Sequence, residues 1–203
     1  FIEKLFPSFA SLISRIGSVQ IRNVGSIGGN IATASPIGDT LPCLIALDAT
    51  LTLCSENGER MVSIDEFFLD YRKTDLNEGE FIKAISVPNL RPTQKFRTYK
   101  ISKRYDQDIS SIIGAYRIEF DGEKVSGVRI AYGGMAATPK RGKKCEAALH
   151  GKLWNMETLK LPSSVVSEDF TPISDFRGSG NYRLDVASNL FERLYQDIEN
   201  SEN

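Results

Sequence analysis

The stretch from Val24 to Asp39 reads VGSIGGNIATASPIGD. Its glycines and its proline exclude a long regular helix or a central strand in this part of the chain. The pair Gly28-Gly29 can adopt positive φ and leaves backbone N–H groups open to a ligand, because no Cβ stands in the way. The stretch lacks the Gly-Lys-Ser/Thr of a Walker loop and the spacing of a dinucleotide-binding glycine loop.

Short polar side chains stand between these glycines. Ser26, Asn30, Thr33 and Ser35 supply hydroxyl and amide groups, and Asp39 supplies a carboxylate that only accepts hydrogen bonds. This set suits a ligand rich in phosphate and hydroxyl groups, with Asp39 accepting from a sugar or ribityl hydroxyl. A turn that only holds neighbouring strands together would use the same residues, so both interpretations stay open from the residues alone.

Composition and charge narrow the function classes. The 203 residues are 41% hydrophobic and carry a formal net charge of −1, which is ordinary for one large or two small globular domains. A nearly neutral chain has no general attraction to nucleic acid or to anionic membranes, and the basic run from Arg91 to Arg104 is too local for a nucleic-acid interface. No apolar run approaches the roughly 20 residues of a membrane span.

The cysteines and the histidine predict neither a metal site nor a catalytic group. Cys43, Cys54 and Cys145 are scattered and odd in number, and the single histidine, His150, precedes a glycine as a helix C-cap does. Free thiols fit a reducing compartment, so we expect a cytoplasmic protein. Because Phe1 stands where a methionine would begin a protein, we expect this chain to start partway through a longer polypeptide.

Periodicity and turn residues divide the chain into elements of an α+β fold. The first half is predicted to contain a helix over 6–16, a helix over 41–47, strands over 49–54 and 60–64 joined at Asn57-Gly58, a helical turn capped by Asp65, and a strand over 81–87. The second half is predicted to contain strands over 95–102, 111–120 and 124–132, a helix begun by Thr138-Pro139, and a long helix after Gly178. The segment 89–93 is the predicted link between domains 1–90 and 91–203.

Four ordered segments resemble the flavin domain of xanthine dehydrogenase, a molybdenum hydroxylase, in its bacterial form. They are QIRNVGSIGGNIATASPIGD at 20–39, FFLDYRKT at 67–74, YKISKRYDQDIS at 99–110 and AYGGMA at 131–136. The resemblance implies that residues 1–90 form the second part of an FAD-binding domain. It also implies that residues 91–203 form a C-terminal domain with a three-stranded antiparallel sheet packed on helices.

The same resemblance implies which residues contact FAD. They are Ile16, Ser26, Ile27, Gly28, Gly29, Asn30, Asp39, Ile82 and Lys100. The glycine loop would cradle the phosphate and ribityl region, Asp39 would accept a hydroxyl hydrogen bond, and Ile82 and Lys100 would approach the ring. A fixed cation near the pyrimidine end raises the electron affinity of a flavin. From the residues alone, Ile16 is predicted to be a core contact and Lys100 an exposed strand lysine, and Ile82 would look the same in a strand with no ligand present.

The implied activity is electron transfer. Electrons from iron–sulfur clusters would reduce FAD and leave as hydride to NAD, while molybdopterin and the clusters belong to other domains or subunits. The implied partners are a preceding iron–sulfur and FAD segment and a molybdopterin-binding subunit, in a hetero-oligomer. Two alternatives stay open: the flavin subunit of a carbon monoxide dehydrogenase, hydroxybenzoyl-coenzyme A reductase or aldehyde oxidase, and a docking module without flavin chemistry of its own.

Overall fold

A computed structural model describes residues 2–200. The helices are α1 (Ile2–Leu5), α2 (Pro7–Ser14), α3 (Val19–Val24), α4 (Ile27–Thr33), α5 (Leu41–Ala46), α6 (Ile64–Phe67), α7 (Lys143–Leu149), α8 (Met156–Asp169) and α9 (Gly180–Glu199). The strands are β1 (Thr50–Ser55), β2 (Gly58–Ser63), β3 (Phe68–Asp70), β4 (Lys73–Thr74), β5 (Phe81–Ser86), β6 (Gln94–Ile101), β7 (Ile112–Asp121), β8 (Lys124–Gly133) and β9 (Lys140–Arg141).

The predicted strands of the first half form an antiparallel sheet in the order β2-β1-β5. The β1–β2 turn contains Glu56 and Asn57, one residue earlier than predicted, because Gly58 pairs with Ser55 at φ +122°. The predicted cap at Asp65 is wrong, since α6 begins at Ile64 and places Asp65 inside the helix. The Asp65 carboxylate instead accepts a hydrogen bond from Arg141 at 3.1 Å.

The three predicted strands of the second half are β6, β7 and β8. Together with a fourth strand, β9, they form an antiparallel meander in the order β6-β7-β8-β9. Its fourth strand, β9, is a two-residue edge strand in which Arg141 lies opposite Ala131. This strand shows that the predicted helix start at Thr138-Pro139 is wrong. Lys140 and Arg141 pair with β8, and α7 begins only at Lys143 after Gly142.

The meander carries a hydrophobic core on each of its faces. Along β7, Ile113 and Ala115 belong to a core with α2 and α5, whereas Ile112 and Tyr116 belong to a core with α7, α8 and α9. Successive strand residues point to opposite faces, which explains how one strand serves both cores. The predicted long final helix is confirmed as α9, and its apolar stripe lies in the second core.

The core that contains residues of α2 and α5, called the first core, positions the glycine-rich stretch. All six residues of α5 are buried, and α5 packs against β7 and β8 immediately after Asp39 and Thr40. The end of the stretch is thereby held at the sheet, while its beginning lies at the surface. Within residues 2–200, no helix combines the length and the apolar character that crossing a membrane requires.

Candidate cofactor site

The glycine-rich stretch folds into a short helix rather than an open loop. Gly28 and Gly29 lie in the first turn of α4, and neither adopts the positive φ that the sequence suggested. The reason is the N-cap: the Ser26 hydroxyl oxygen accepts a hydrogen bond from the Gly29 N–H at 3.0 Å and starts the helix there. The glycines therefore do not use the left-handed conformation that is open to them, although the absence of side chains at these positions still matters.

The two glycines differ in what surrounds them. A Cβ on Gly28 would meet no atom within 4 Å, so this position presents an open backbone face. A Cβ on Gly29 would lie 3.0 Å from Ser26 Oγ, the oxygen that caps the helix. Gly28 thus leaves room for a ligand, and Gly29 leaves room for the cap.

A groove of about 530 Å³ opens between the end of α2, the helices α3 and α4, and Thr40. Five of the residues that the resemblance assigns to FAD line it, namely Ile16, Ser26, Ile27, Gly29 and Asn30. Ile13 and Ile21 extend its apolar wall, and the remaining lining includes Arg22, Gly25, Thr33 and Thr40. An apolar wall beside hydroxyl and amide groups fits a ligand with a flat ring system and a polar chain, which is the chemistry of FAD.

Arg22 lines this groove and connects two of the segments that form it. Its Nη1 donates to the carbonyl oxygens of Ile16 and Gly17 at 3.0 and 2.9 Å. These bonds fasten α3 to the turn that follows α2, where Gly17 has φ +54°. Ile13, Ile16 and Ile21 form the isoleucine wall of the groove. They lie in α2, in the turn that follows it and in α3, which the Arg22 guanidinium group joins.

The predicted residues Asp39 and Lys100 lie behind the groove, not on its surface. The Thr40 hydroxyl donates to Asn30 Oδ1 at 2.6 Å, and the neighbouring Asp39 forms a buried ion pair with Lys100. The Lys100 side chain is 2% exposed, which rules out the exposed strand lysine. Asn30 and Lys100, 70 positions apart in the sequence, are thus joined through Thr40 and Asp39.

The donors of this cluster exceed the acceptors that the chain provides. Among residues 2–200, the Lys100 ammonium group has one hydrogen-bond acceptor, Asp39, for its three N–H donors. Burying an ammonium group is costly unless it is paired and hydrogen-bonded, and Asp39 supplies that pairing. The fit to the cofactor that the sequence suggests comes from the open backbone at Gly28 and the mixed apolar and polar lining of the groove.

Four of the nine predicted residues do not line the groove. Asp39 and Lys100 lie behind it, Gly28 lies beside it in α4, and Ile82 lies in β5 opposite Leu53, packed against the first core. The assignment of all nine residues to FAD stays a prediction.

The loop after β6 is attached to this region by Arg15, which the sequence did not single out. The Arg15 guanidinium donates to the carbonyl oxygens of Lys100 and Tyr105 at 3.1 and 3.2 Å and lies 4.4 Å from the Tyr105 ring centroid. Within the loop, a hydrogen bond from the Arg104 N–H holds the pKa of Asp108 below its ordinary value.

Comparison with known proteins agrees with this geometry. Residues 1–90 match the family described as the FAD binding domain in molybdopterin dehydrogenase, and residues 97–198 match the CO dehydrogenase flavoprotein C-terminal domain. The gap between the two matches, 91–96, overlaps the predicted link at 89–93, but the domain boundary itself stays a prediction.

Individual relatives and solved structures agree with the family. The glyceraldehyde dehydrogenase medium chain of Sulfolobus acidocaldarius is 34% identical over 97% of this chain and 69% of that protein. The xanthine dehydrogenase of Blastobotrys adeninivorans is 34% identical over 97% of this chain, which spans 15% of that protein. A chain of carbon monoxide dehydrogenase from Hydrogenophaga pseudoflava superposes with a TM-score of 0.89 at 31% identity, covering 95% of this chain and 67% of that chain. The chain described here belongs to the flavoprotein family of the molybdopterin dehydrogenases, with an FAD-binding domain in residues 1–90 and a CO dehydrogenase flavoprotein C-terminal domain in residues 97–198.

Proposed function

We propose that this chain holds FAD in the groove and carries electrons from iron–sulfur clusters to NAD within a xanthine-dehydrogenase-like molybdenum hydroxylase. The observation that carries the proposal is the connection from the groove to a buried cation, through Asn30, Thr40, Asp39 and Lys100. Bound FAD would supply the ability to accept and release two electrons. The chain's own residues would bind it, orient it and set the local charge.

Each group has a role that follows from its chemistry. The isoleucine wall would exclude water from the ring, and the Asn30 amide N–H groups would donate to the polar chain of the cofactor, since Asn30 Oδ1 already accepts from Thr40. Because Asp39 and Lys100 lie behind the groove, they would act on the bound flavin through their charges, and the Lys100 ammonium would favour electron-rich flavin.

The substrate, the acceptor and the partners are also proposals. The FFLDYRKT and AYGGMA segments support a xanthine-type enzyme, whereas a medium chain of a glyceraldehyde dehydrogenase is equally similar at 34% identity. By its name, that relative is one chain of a larger assembly, which supports a hetero-oligomer with molybdopterin and iron–sulfur subunits. Assaying the holoenzyme with NAD and with xanthine, an aldehyde, carbon monoxide and hydroxybenzoyl-coenzyme A decides among these substrates. We also propose a cytoplasmic location.

The cofactor site is tested by Asn30→Ala in the flavoprotein that contains this chain. We expect FAD binding about tenfold weaker, because a ligand loses a hydrogen-bonding partner worth about 1.4 kcal/mol. Asn89→Ala is the matched control, since Asn89 is exposed between β5 and β6, away from the groove. Fluorescence titration with FAD measures both variants, and a wild-type protein that is colourless and cannot be reconstituted with FAD contradicts the proposal.

The same variants address the docking alternative. Ile173 and Phe176 are 70% and 76% exposed in the segment before α9, which is the kind of surface that a docking module would use. If the flavoprotein is an electron carrier, Asn30→Ala binds FAD more weakly yet still assembles with its partner subunits in size-exclusion chromatography. Unchanged FAD binding with lost assembly would favour docking.

A further inference from the structure

Among residues 2–200, Ser110 is the one residue whose hydroxyl group bonds to the buried ion pair. It is 1% exposed, and its Oγ donates to Asp39 Oδ1 at 2.7 Å across 71 positions of sequence. Lys100 takes the other carboxylate oxygen, Oδ2. Asp39 is therefore held from both sides, by a hydroxyl from the segment before β7 and by an ammonium group from β6.

We propose that Ser110 is a positioning residue of the FAD site, which orients the Asp39 carboxylate against Lys100 and thereby sets the charge behind the groove. This inference rests on the proposed function. Thr40, which follows Asp39 directly, donates to Asn30 and so connects the ion pair to the polar lining of the groove.

The Ser110 hydroxyl changes the charge beside the bound flavin in a definite direction. A hydroxyl proton that points at a carboxylate oxygen offsets part of its negative charge, and the effect is strong where the surroundings are buried. Without that proton the Asp39 carboxylate makes the wall more negative, and a more negative wall disfavours the electron-rich, reduced form of a flavin. Ser110 therefore raises the midpoint potential of bound FAD.

A second buried group beside Asp39 does not change the net charge of the cluster around this carboxylate. The Cys43 thiol lies 3.8 Å from the Asp39 carbonyl oxygen, and burial together with the Asp39 charge raises its pKa well above the ordinary value. A thiol that stays protonated adds no charge, so the cluster consists of one carboxylate, one ammonium group and the Ser110 dipole.

The adjacent residue provides a matched control. Ser111 is 2% exposed, and its hydroxyl donates at 2.8 Å to the carbonyl oxygen of Arg177. The two serines thus have similar burial and similar hydrogen bonds, but only Ser110 is bonded to the ion pair. A purely structural role for Ser110 predicts equal effects of removing either hydroxyl.

The test compares Ser110→Ala, Ser111→Ala and Ser110→Thr in the FAD-loaded flavoprotein, by spectroelectrochemical titration and thermal denaturation. For Ser110→Ala we expect the ratio of oxidised to reduced FAD at a fixed potential to rise about threefold to tenfold, tenfold being about 30 mV for a two-electron couple. Ser110→Thr, which retains the hydroxyl, and Ser111→Ala should keep the wild-type potential.

Either of two results overturns this inference while the proposed function stands: an unchanged potential in Ser110→Ala, or an equal shift in Ser111→Ala. A wild-type flavoprotein that binds no FAD overturns both together. Melting temperatures separate a redox effect from a loss of folding, since the inference requires the shift to occur in folded Ser110→Ala.

Discussion

Gly28 and Gly29 are neighbours in the first turn of α4, but they serve different purposes. Gly28 faces open space, so its missing side chain matters only to what approaches from outside the chain. Gly29 sits against the Ser26 hydroxyl, so its missing side chain matters to the helix cap. Adding a methyl group at Gly28 therefore tests ligand binding, and adding one at Gly29 tests folding.

We expect Gly28→Ala to stabilise the protein without FAD by about 0.5 to 1 kcal/mol, because alanine loses less backbone entropy than glycine in a helix. The same variant should weaken FAD binding severalfold if the cofactor approaches this backbone as proposed. Gly29→Ala should instead destabilise the protein by about 1 kcal/mol, because its Cβ displaces the Ser26 cap. Chemical denaturation and FAD titration measure these effects, and equal stability of the two variants would contradict the different roles.

At this scale the sequence predicted which residues line the groove better than it predicted their surroundings. The glycine-rich stretch carries its own signal, and the groove contains five of the residues expected there. The burial of Lys100 against Asp39 depends on two segments that are distant along the chain, which no local pattern reveals. Ser110 and Arg15 act through bonds across 71 and 85 positions, so neither carried a signal.

At the scale of elements, α7 shows how a distant side chain can start a helix. Gly142, its N-cap residue, has no side chain to accept the first N–H groups. The Asp169 carboxylate, at the end of α8, accepts from the N–H groups of Lys144 and Cys145, both at 2.9 Å. The sequence signal at Thr138-Pro139 is misleading because pairing with β8 takes the next two residues into β9.

Removing this remote cap has a predictable cost. We expect Asp169→Ala to lower the free energy of unfolding by about 1 to 2 kcal/mol, as loss of an N-cap does. Glu168→Ala is the control, because its ion pair with Lys144 joins side chains that are both more than half exposed and contributes little. Urea denaturation monitored by circular dichroism compares them, and equal losses would show that Asp169 does not cap α7.

At the scale of the whole molecule, the meander joins the two cores, and Asp48 fastens the first half of the chain to it. Arg117 and Arg129 lie opposite each other on β7 and β8, where two like charges would repel. Asp48, between α5 and β1, forms ion pairs with both and adopts φ +53° to do so. The alternation of strand residues predicted the sheet, but not this carboxylate, because its two partners lie 69 and 81 positions away.

The ion pairs of Asp48 with the two arginines predict how the free energy of unfolding changes at acidic pH. Burial opposes ionisation, but the hydrogen bonds from Arg129 and Arg117 outweigh it and lower the pKa of Asp48 below its ordinary value. The stabilisation is therefore fully present above the unfolded-state pKa, about 3.9, and is lost as the pH falls through the lower folded-state pKa. We expect Asp48→Asn to lower the free energy of unfolding at pH 7 by about 1 to 2 kcal/mol, with the difference from wild type shrinking below about pH 4. Asp121→Asn, at the exposed last residue of β7, is the control. An Asp48→Asn difference that stays constant from pH 7 to pH 3 would show that the carboxylate charge does not hold the arginines together.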